Sequence, residues 1–379
     1  MVTAAALTCR GCAAAARMVV DLGRQPASDD FPALDAPGPD ARWPLQLWFC
    51  PRCALVQLGP VQALLEEPVR AVESRTSQEH ARSTVTALLK DYPELAGRGV
   101  REFASHHGGS WLEALASFGC LPVGADAGLV VDTHALAHEQ DVRARLAERA
   151  RGLAPDGLLV LEFHHLLPLV EQGQFDTIRH GHWSYLSLTA LHRLAPEHGL
   201  RVIQAVGEAV FGGSLRVVLA PVAAGRPVDD TVPQLLAAER RAGLDDGRGL
   251  TDLGARARES AAALHAFLLQ QQIQGRRVLA YGAPSKAAVM LGLSEVGPEL
   301  LEFTVDAAPL KHGLAIPGGR VPIRPVADLI AARPAVVLVL TWDIADEVID
   351  RLESDGGWGA EYVVPLPVPH AVVSVAAVR

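Results

Sequence analysis

Two CxxC pairs restrict what this chain can fold into more than any other feature. Cys9 and Cys12 bound the turn CRGC, and Cys50 and Cys53 bound the turn CPRC. Each tight turn can bring two thiols to one point, and two such knuckles together make a tetrahedral four-sulfur site for Zn(II). A redox pair, or four unrelated buried thiols, are the other readings of the same residues. Four thiolates leave no open coordination position, so a zinc here would hold a fold together and do no chemistry. The fifth cysteine, Cys120, lies outside both pairs and reads as a small buried hydrophobe. No apolar run approaches the roughly 20 residues of a membrane span. The start, MVTAAALTCRGC, lacks the basic and apolar regions of a secretory signal. A cytoplasmic protein with reduced cysteines is therefore expected.

The 379 residues are enough for two or three domains, each with its own core. A formal net charge of -9 argues against a nucleic-acid partner, since no excess of Lys and Arg is available to neutralise phosphates. Residues 61–92 read as helical, with a boundary at Pro68. VREFASHHGGSWLEAL then offers a strand and a turn at Gly108 and Gly109, with Glu102 at the strand end. CLPVGAD reads as a strand ending on Asp126, where nucleotide-binding α/β domains commonly place an acid for ribose hydroxyls. AGLVVDTHALAHEQDV follows almost at once as a further strand and loop. Pro155, Asp156 and Gly157 read as a turn before the apolar strand LLVLEF. His164 and His165 after that strand either face a site or cap a loop, and the loop reading is favoured. RVIQAV and SLRVVLA form a strand pair around Gly212, Gly213 and Ser214. Residues 222–275 read as a helical connector with a solvated charged face.

In RRVLAYGAPSKAAVML an apolar strand, a glycine turn and a helix start follow one another. This arrangement can surround an anion with backbone N–H groups, Lys286 adding a cation, or it is an ordinary strand-to-helix turn. Strands alternate with helices from there on, which predicts a small second parallel sheet. Between these halves lies FDTIRHGHWSYLSL, Phe175 to Leu188. It gathers His180 and His182 with Arg179, Trp183 and Tyr185. Two imidazoles beside a phenol suit acid–base work near neutral pH, although a surface loop that happens to carry histidines has the same composition.

That window resembles the catalytic stretch of the deoxysugar C-methyltransferases, which act on nucleotide-linked keto sugars. Their pattern runs Phe-Asp-Thr-Ile-Tyr-His-Glu-His-x-Ser-Tyr, and its second His, here His182, is taken as the base that enolises the sugar. The family's Tyr is Arg179 here and its Glu is Gly181. DLGRQPAS and CALVQLGP resemble the family's zinc-binding front end. Tyr281, Gly282, Ala283 and Pro284 with Lys286, Val305 and Asp306 before Lys311, and Trp342 with Asp343 resemble its C-terminal domain, which is implied to form one wall of the sugar-nucleotide cleft. The cofactor loop departs from the family's Val-Leu-Glu-Ile-Gly-Ser-Asn-Asp-Gly: Ala104 replaces the first Gly, and His106 and His107 replace the polar pair. The family's paired tyrosines have no counterpart between Val61 and Asp91. About one βα unit, roughly 30 residues, is missing beside Asp126.

The resemblance implies an α/β chain in three parts. These are a zinc-binding module (residues 1–60), a shortened Rossmann-like methyltransferase domain (61–221), and, after the connector (222–275), a smaller Rossmann-like domain for the sugar nucleotide (276–379). It further implies structural zinc on Cys9, Cys12, Cys50 and Cys53, and S-adenosylmethionine near Glu102, Gly108, Gly109 and Asp126. The keto-deoxysugar nucleotide of natural-product sugar biosynthesis would lie against Tyr281, Gly282, Ala283, Lys286 and Lys311. His182 would be the base and Arg179 the enolate-stabilising cation. Two alternatives keep the architecture. One is enolisation without a methyl donor, His180 or Tyr185 returning the proton. The other is a non-catalytic sugar-nucleotide-binding or scaffolding protein.

Overall fold

The computed structural model describes residues 7–61, 73–104 and 109–373. Its first sheet is antiparallel and joins β1 (Leu7–Thr8), β2 (Ala15–Pro26), β3 (Arg42–Phe49) and β4 (Val56–Leu58). Alternate residues Leu45, Leu47 and Phe49 of β3 point inward with Val20 and Leu22 of β2, the period of two that a half-buried strand requires. The cysteine knuckles are turns of this sheet. Ala13 and Ala54, each next to the second cysteine of its pair, take left-handed φ values of 59° and 61°. Their N–H groups return to the carbonyls of Cys9 and Cys50 at 2.9 and 2.8 Å, which closes each knuckle.

The chain continues through α1 (Arg75–Asp91), β5 (Gly99–Phe103), α2 (Leu112–Ala116), β6 (Leu121–Pro122), β7 (Ala127–Thr133), α3 (Val142–Arg151) and β8 (Leu153–His164). After α4 (Leu166–Gln172), β9 (Ser184–Tyr185) and α5 (Leu188–Leu194), the antiparallel pair β10 (Leu200–Glu208) and β11 (Ser214–Pro221) completes a six-stranded sheet ordered β10-β11-β8-β7-β5-β6. Its parallel centre is apolar on both faces, as in Leu158, Leu159, Val160 and Leu161, because helices cover both sides. The turn expected at Pro155–Gly157 is instead a bulge inside β8, where five steps along β8 match two along β7. The expected helix over residues 61–92 begins at Arg75, capped by the Ser74 hydroxyl; Pro68 lies outside the described residues.

β9 does not join that sheet. It pairs with β4, Val56 opposite Tyr185, so the window around His182 is the fifth strand of the zinc-side sheet.

Two helices, α6 (Thr231–Arg241) and α7 (Leu253–Ile273), lead to the last part of the chain. There β12 (Val278–Tyr281), α8 (Ser285–Leu293), β13 (Thr304–Asp306), β14 (Ile323–Pro325), α9 (Val326–Ala332), β15 (Val336–Val339), α10 (Ala345–Ser354), β16 (Glu361–Val364) and β17 (His370–Val372) form a sheet ordered β14-β13-β12-β15-β16-β17. All its pairs are parallel except β16 with β17. The order reverses at β12, so a crevice opens at the carboxyl ends of β12 and β15.

One apolar core runs from Leu45, Leu47 and Phe49 through Phe175, Ile178, Trp183 and Tyr185 to Val278, Ala280, Val336 and Leu338. The connector is part of that core, with Ala257, Ala261, Leu264 and Leu268 of α7 inward at helical spacing. Its charges are not all solvated. Glu239 of α6 is fully buried and accepts from the N–H groups of Leu188 and Thr189 at 2.7 Å, which caps α5 from a neighbouring helix.

Candidate active site

The four cysteines converge as the spacing predicts. Their sulfurs lie within 4.8 Å of one another, with Cys9–Cys53 and Cys12–Cys50 both at 3.5 Å. Tetrahedral zinc with bonds of about 2.3 Å would hold sulfurs roughly 3.8 Å apart, so this donor set fits the ion. From the first knuckle Arg10 reaches across the sheet. Its Nη1 donates to the Leu58 carbonyl at 2.7 Å and its guanidinium lies 4.8 Å over the Trp183 ring. The metal knuckle thereby touches the residue next to His182.

The window itself is not a surface loop. Every residue from Phe175 to Leu188 is buried except half-buried Thr177. Gly181, at φ 88°, breaks the strand-like alternation and sends its two histidine neighbours apart. His180 bonds the carbonyls of Pro26 and Pro44 at 3.1 and 3.2 Å and does not line the cavity described below. Burial draws its pKa down. The Tyr185 hydroxyl accepts from the Arg179 N–H at 3.1 Å, and its ring lies 4.6 Å from that of His182. Neither His180 nor Tyr185 is placed to transfer a proton in the cavity; both shape the stretch that presents His182.

His182 and Arg179 line a cavity of about 430 Å³ that lies between the carboxyl ends of the parallel strands of the two six-stranded sheets. Thr133 at the end of β7, His134 just beyond it, and Glu162 and His164 at the end of β8 line one side. Tyr281, Gly282, Lys286, Asp306, Lys311, Thr341 and Asp343 line the other. Each cation in this wall has a carboxylate. Arg179 donates to Asp29 at 3.2 Å, Lys286 meets Asp343 at 2.5 Å while lying 4.3 Å over Trp342, and Lys311 is 3.3 Å from Asp306. Asp29 also accepts from the Ser285 hydroxyl at the start of α8, linking Arg179 to the C-terminal wall. Ala283 stays behind the surface, donating its N–H to Asp306 at 2.8 Å and accepting from Lys311 at 2.9 Å. Gly282, at φ 97°, would drive any Cβ into Thr341 at 2.7 Å, so only glycine lets this turn close against the end of β15.

The residues expected at the methyl donor fare unevenly. Gly109 lines the cavity at φ 92° beside Ser110 and Trp111, while Gly108, His106 and His107 lie outside the described residues. Glu102 accepts from the Ser110 hydroxyl and the Trp111 N–H, both at 2.6 Å, and so holds this turn from behind. Asp126 is misassigned. It is exposed, at φ 51°, and directly precedes β7, at the edge of the sheet away from the cavity. The cause is β6, which has two residues and never climbs to the carboxyl edge where a ribose-binding acid would emerge.

Several cavity residues were not singled out from sequence. His80 of α1 faces the cavity from the helix in which no tyrosine occurs, and both oxygens of Glu162 lie 2.9 Å from its Nε2. His134 Nε2 stands 3.2 Å from Glu162 Oε1. Burial alone would raise the Glu162 pKa, but the bonds from His134 and His80 hold it at about 2. His164, read as a loop residue, lines the cavity, and burial with nearby Lys286 lowers its pKa to about 3. His165 does behave structurally, bonding Glu239 at 2.7 Å. The His138 ring stands edge-on to His182 at 5.0 Å.

Residues 9–63 match the zinc binding domain family, and residues 209–367 match the C-methyltransferase C-terminal domain family. Over 377 residues the chain is 30% identical to the C-methyltransferase NovU of Streptomyces niveus, covering 89% of this chain and 90% of that protein. Weaker likenesses reach the 1,6-didemethyltoxoflavin-N1-methyltransferase of Burkholderia thailandensis (13% identity, TM-score 0.30, 46% of this chain and 96% of that one). The magnesium protoporphyrin IX methyltransferase of Synechocystis PCC 6803 is similar at 12% identity and TM-score 0.29, over 42% of this chain and 89% of that one. No helix among the described residues is long and apolar enough to cross a membrane.

Proposed function

Because the chain belongs to the C-methyltransferase family that includes NovU, we propose that it transfers a methyl group from S-adenosylmethionine to a carbon of a nucleotide-linked keto-deoxysugar. The observation that carries this reading is His182 in the wall of a cavity between the carboxyl ends of the parallel strands of the two six-stranded sheets. A carbon acid α to a ketone ionises too weakly in water to react at neutral pH, so a positioned base is the first requirement. His182 takes that proton, while its neighbours in the core keep the ring from turning. The C-terminal wall holds the nucleotide, with the turn before α8 and Lys286 toward its phosphates. Arg179 faces the enolate as a permanent cation tempered by Asp29.

S-adenosylmethionine, when bound, supplies an electrophilic methyl group. Gly109, Ser110 and Trp111 would hold it, since the glycine leaves bare backbone toward the cavity and the indole offers an aromatic face. The two-residue β6 removes the ribose acid from that set. This supports a second reading, in which the enolate forms at His182 but takes back a proton in place of a methyl group. Mass spectrometry of a thymidine-diphosphate keto sugar incubated with methyl-labelled donor tests the first reading. It predicts a labelled carbon product that His182→Ala abolishes, and methylation surviving that substitution refutes the assignment of the base.

A further inference from the structure

The cavity holds a second imidazole built for proton transfer. His134 is the first residue beyond β7, and Glu162 lies across from Thr133 on neighbouring β8, so sheet register alone brings the two side chains to one edge. The His134 N–H bonds the Glu162 carbonyl at 2.7 Å, and its φ of 65° is left-handed. That conformation costs a residue with a Cβ about 1–2 kcal/mol and persists only where the surroundings enforce it. Phe211 stands edge-on to His134 at 5.7 Å and to His80 at 5.9 Å, fixing both rings about the carboxylate.

Ionised Glu162 only accepts hydrogen bonds, so both Nε2 atoms facing it carry hydrogen. His80 also has the Thr84 hydroxyl 3.3 Å from its Nδ1, which gives each of its nitrogens an acceptor and suits the imidazolium. His134 differs. Neutral His134 is fixed as the Nε2–H tautomer, and among the described residues nothing bonds its Nδ1, which is left as the proton-accepting atom. A carboxylate bonded to one nitrogen of an imidazole that lines the cavity is the arrangement of a general base.

We propose that His134, positioned by Glu162, is the second proton-transfer group of this cavity, and that with His182 it exchanges and inverts the hydrogen α to the ketone without any methyl donor. His182 takes the proton as the C–H electron pair moves into the enolate. Protonated His134 then gives its Nδ1 proton to the same carbon as the ketone re-forms, so one C–H bond breaks and one forms. Water restores the two imidazoles, and in the reverse direction their roles exchange. The proposal rests on the keto-sugar reading above, and it replaces His180 and Tyr185 as the returning acid.

The test is deuterium uptake from D2O into thymidine-diphosphate 4-keto-6-deoxyglucose by the full zinc-loaded chain without S-adenosylmethionine, followed by proton NMR and mass spectrometry. Uptake above the buffer rate with inversion at the α carbon is expected, and inversion should fall at least 100-fold in His134→Asn, the scale of a lost acid–base group, since His182 alone can only return deuterium to the face it deprotonates. Asparagine tolerates the left-handed backbone, so this variant keeps the fold. Glu162→Gln should lower kcat for exchange about tenfold with KM nearly unchanged, a split that general loss of structure would not give. Inversion at the normal rate in His134→Asn overturns the proposal. No uptake by a protein that binds the sugar nucleotide in calorimetry overturns it while sparing the keto-sugar reading, whereas absence of binding removes both.

Discussion

Replacing Arg10 by methionine keeps the stem in place and removes a charged contact from the zinc knuckle to the stretch that carries His182. The guanidinium donates at 2.7 Å to the carbonyl of fully buried Leu58, and it covers the Trp183 ring at 4.8 Å. A hydrogen bond from a charged group contributes about 1.5–3 kcal/mol and an exposed-to-intermediate cation–π contact about 0.5–1 kcal/mol. Burial of the cation, which lowers its pKa, offsets part of this, leaving a net loss of about 2 kcal/mol. The Leu58 N–H bond to the Trp183 carbonyl at 3.0 Å survives, so β9 should loosen without detaching. A displacement of about 1 Å at a reacting group costs on the order of 100-fold in rate. Arg10→Met should therefore lower kcat for methyl transfer by about 10–100-fold while KM stays within a few-fold. Zinc content by mass spectrometry should remain one per chain, because the arginine is not a ligand. Unchanged kcat in a variant destabilised by the stated amount would refute the coupling, and loss of zinc would place the effect at the metal.

Glu162, held at about 2 against an ordinary 4.5, contributes about 3 kcal/mol that is present above pH 4.5 and is lost as pH falls toward 2. Urea denaturation of Glu162→Gln should thus show a flatter acid limb than the parent. Asp176 is the opposite case. Burial raises it from 3.8 to about 6, its Oδ2 accepts from Trp342 Nε1 at 2.8 Å, and its buried Oδ1 has no hydrogen-bond partner among the described residues. Its ionisation costs stability as pH rises from 3.8 to about 6, so Asp176→Asn should stabilise by up to about 3 kcal/mol at pH 7 and not at all below pH 3.8. Gly212 has φ 80°, and a Cβ there would stand 2.5 Å from the Trp342 ring. Gly212→Ala should cost about 2–4 kcal/mol in thermal unfolding and loosen the contact between the two sheets' sides of the cavity.

Features carried by local chemistry were legible. Each cysteine knuckle needs only its own turn, and the turn after β12 needs only a strand, a glycine and a helix start, so both stood where the residues said. His180 could not be separated from His182 without knowing that Gly181 adopts a positive φ and turns them to different surroundings. Asp126 failed because an apolar run shows that a strand forms but not how far it climbs, and β6 stops after two residues. His134 and Glu162 lie 28 residues apart and meet only through strand register. A signal did exist: each is a polar residue closing an apolar run, VVDTH and LLVLEF, at the edge where parallel sheets place their chemistry. Glu239 was hidden by its company among exposed helix charges.

Calorimetry and product analysis on one sample address the central claim most directly: zinc-loaded protein titrated with S-adenosylmethionine, then incubated with it and a thymidine-diphosphate keto sugar. The account predicts donor binding and a new carbon–methyl bond in the sugar, lost in His182→Ala. No donor binding, with or without the sugar nucleotide, would contradict it.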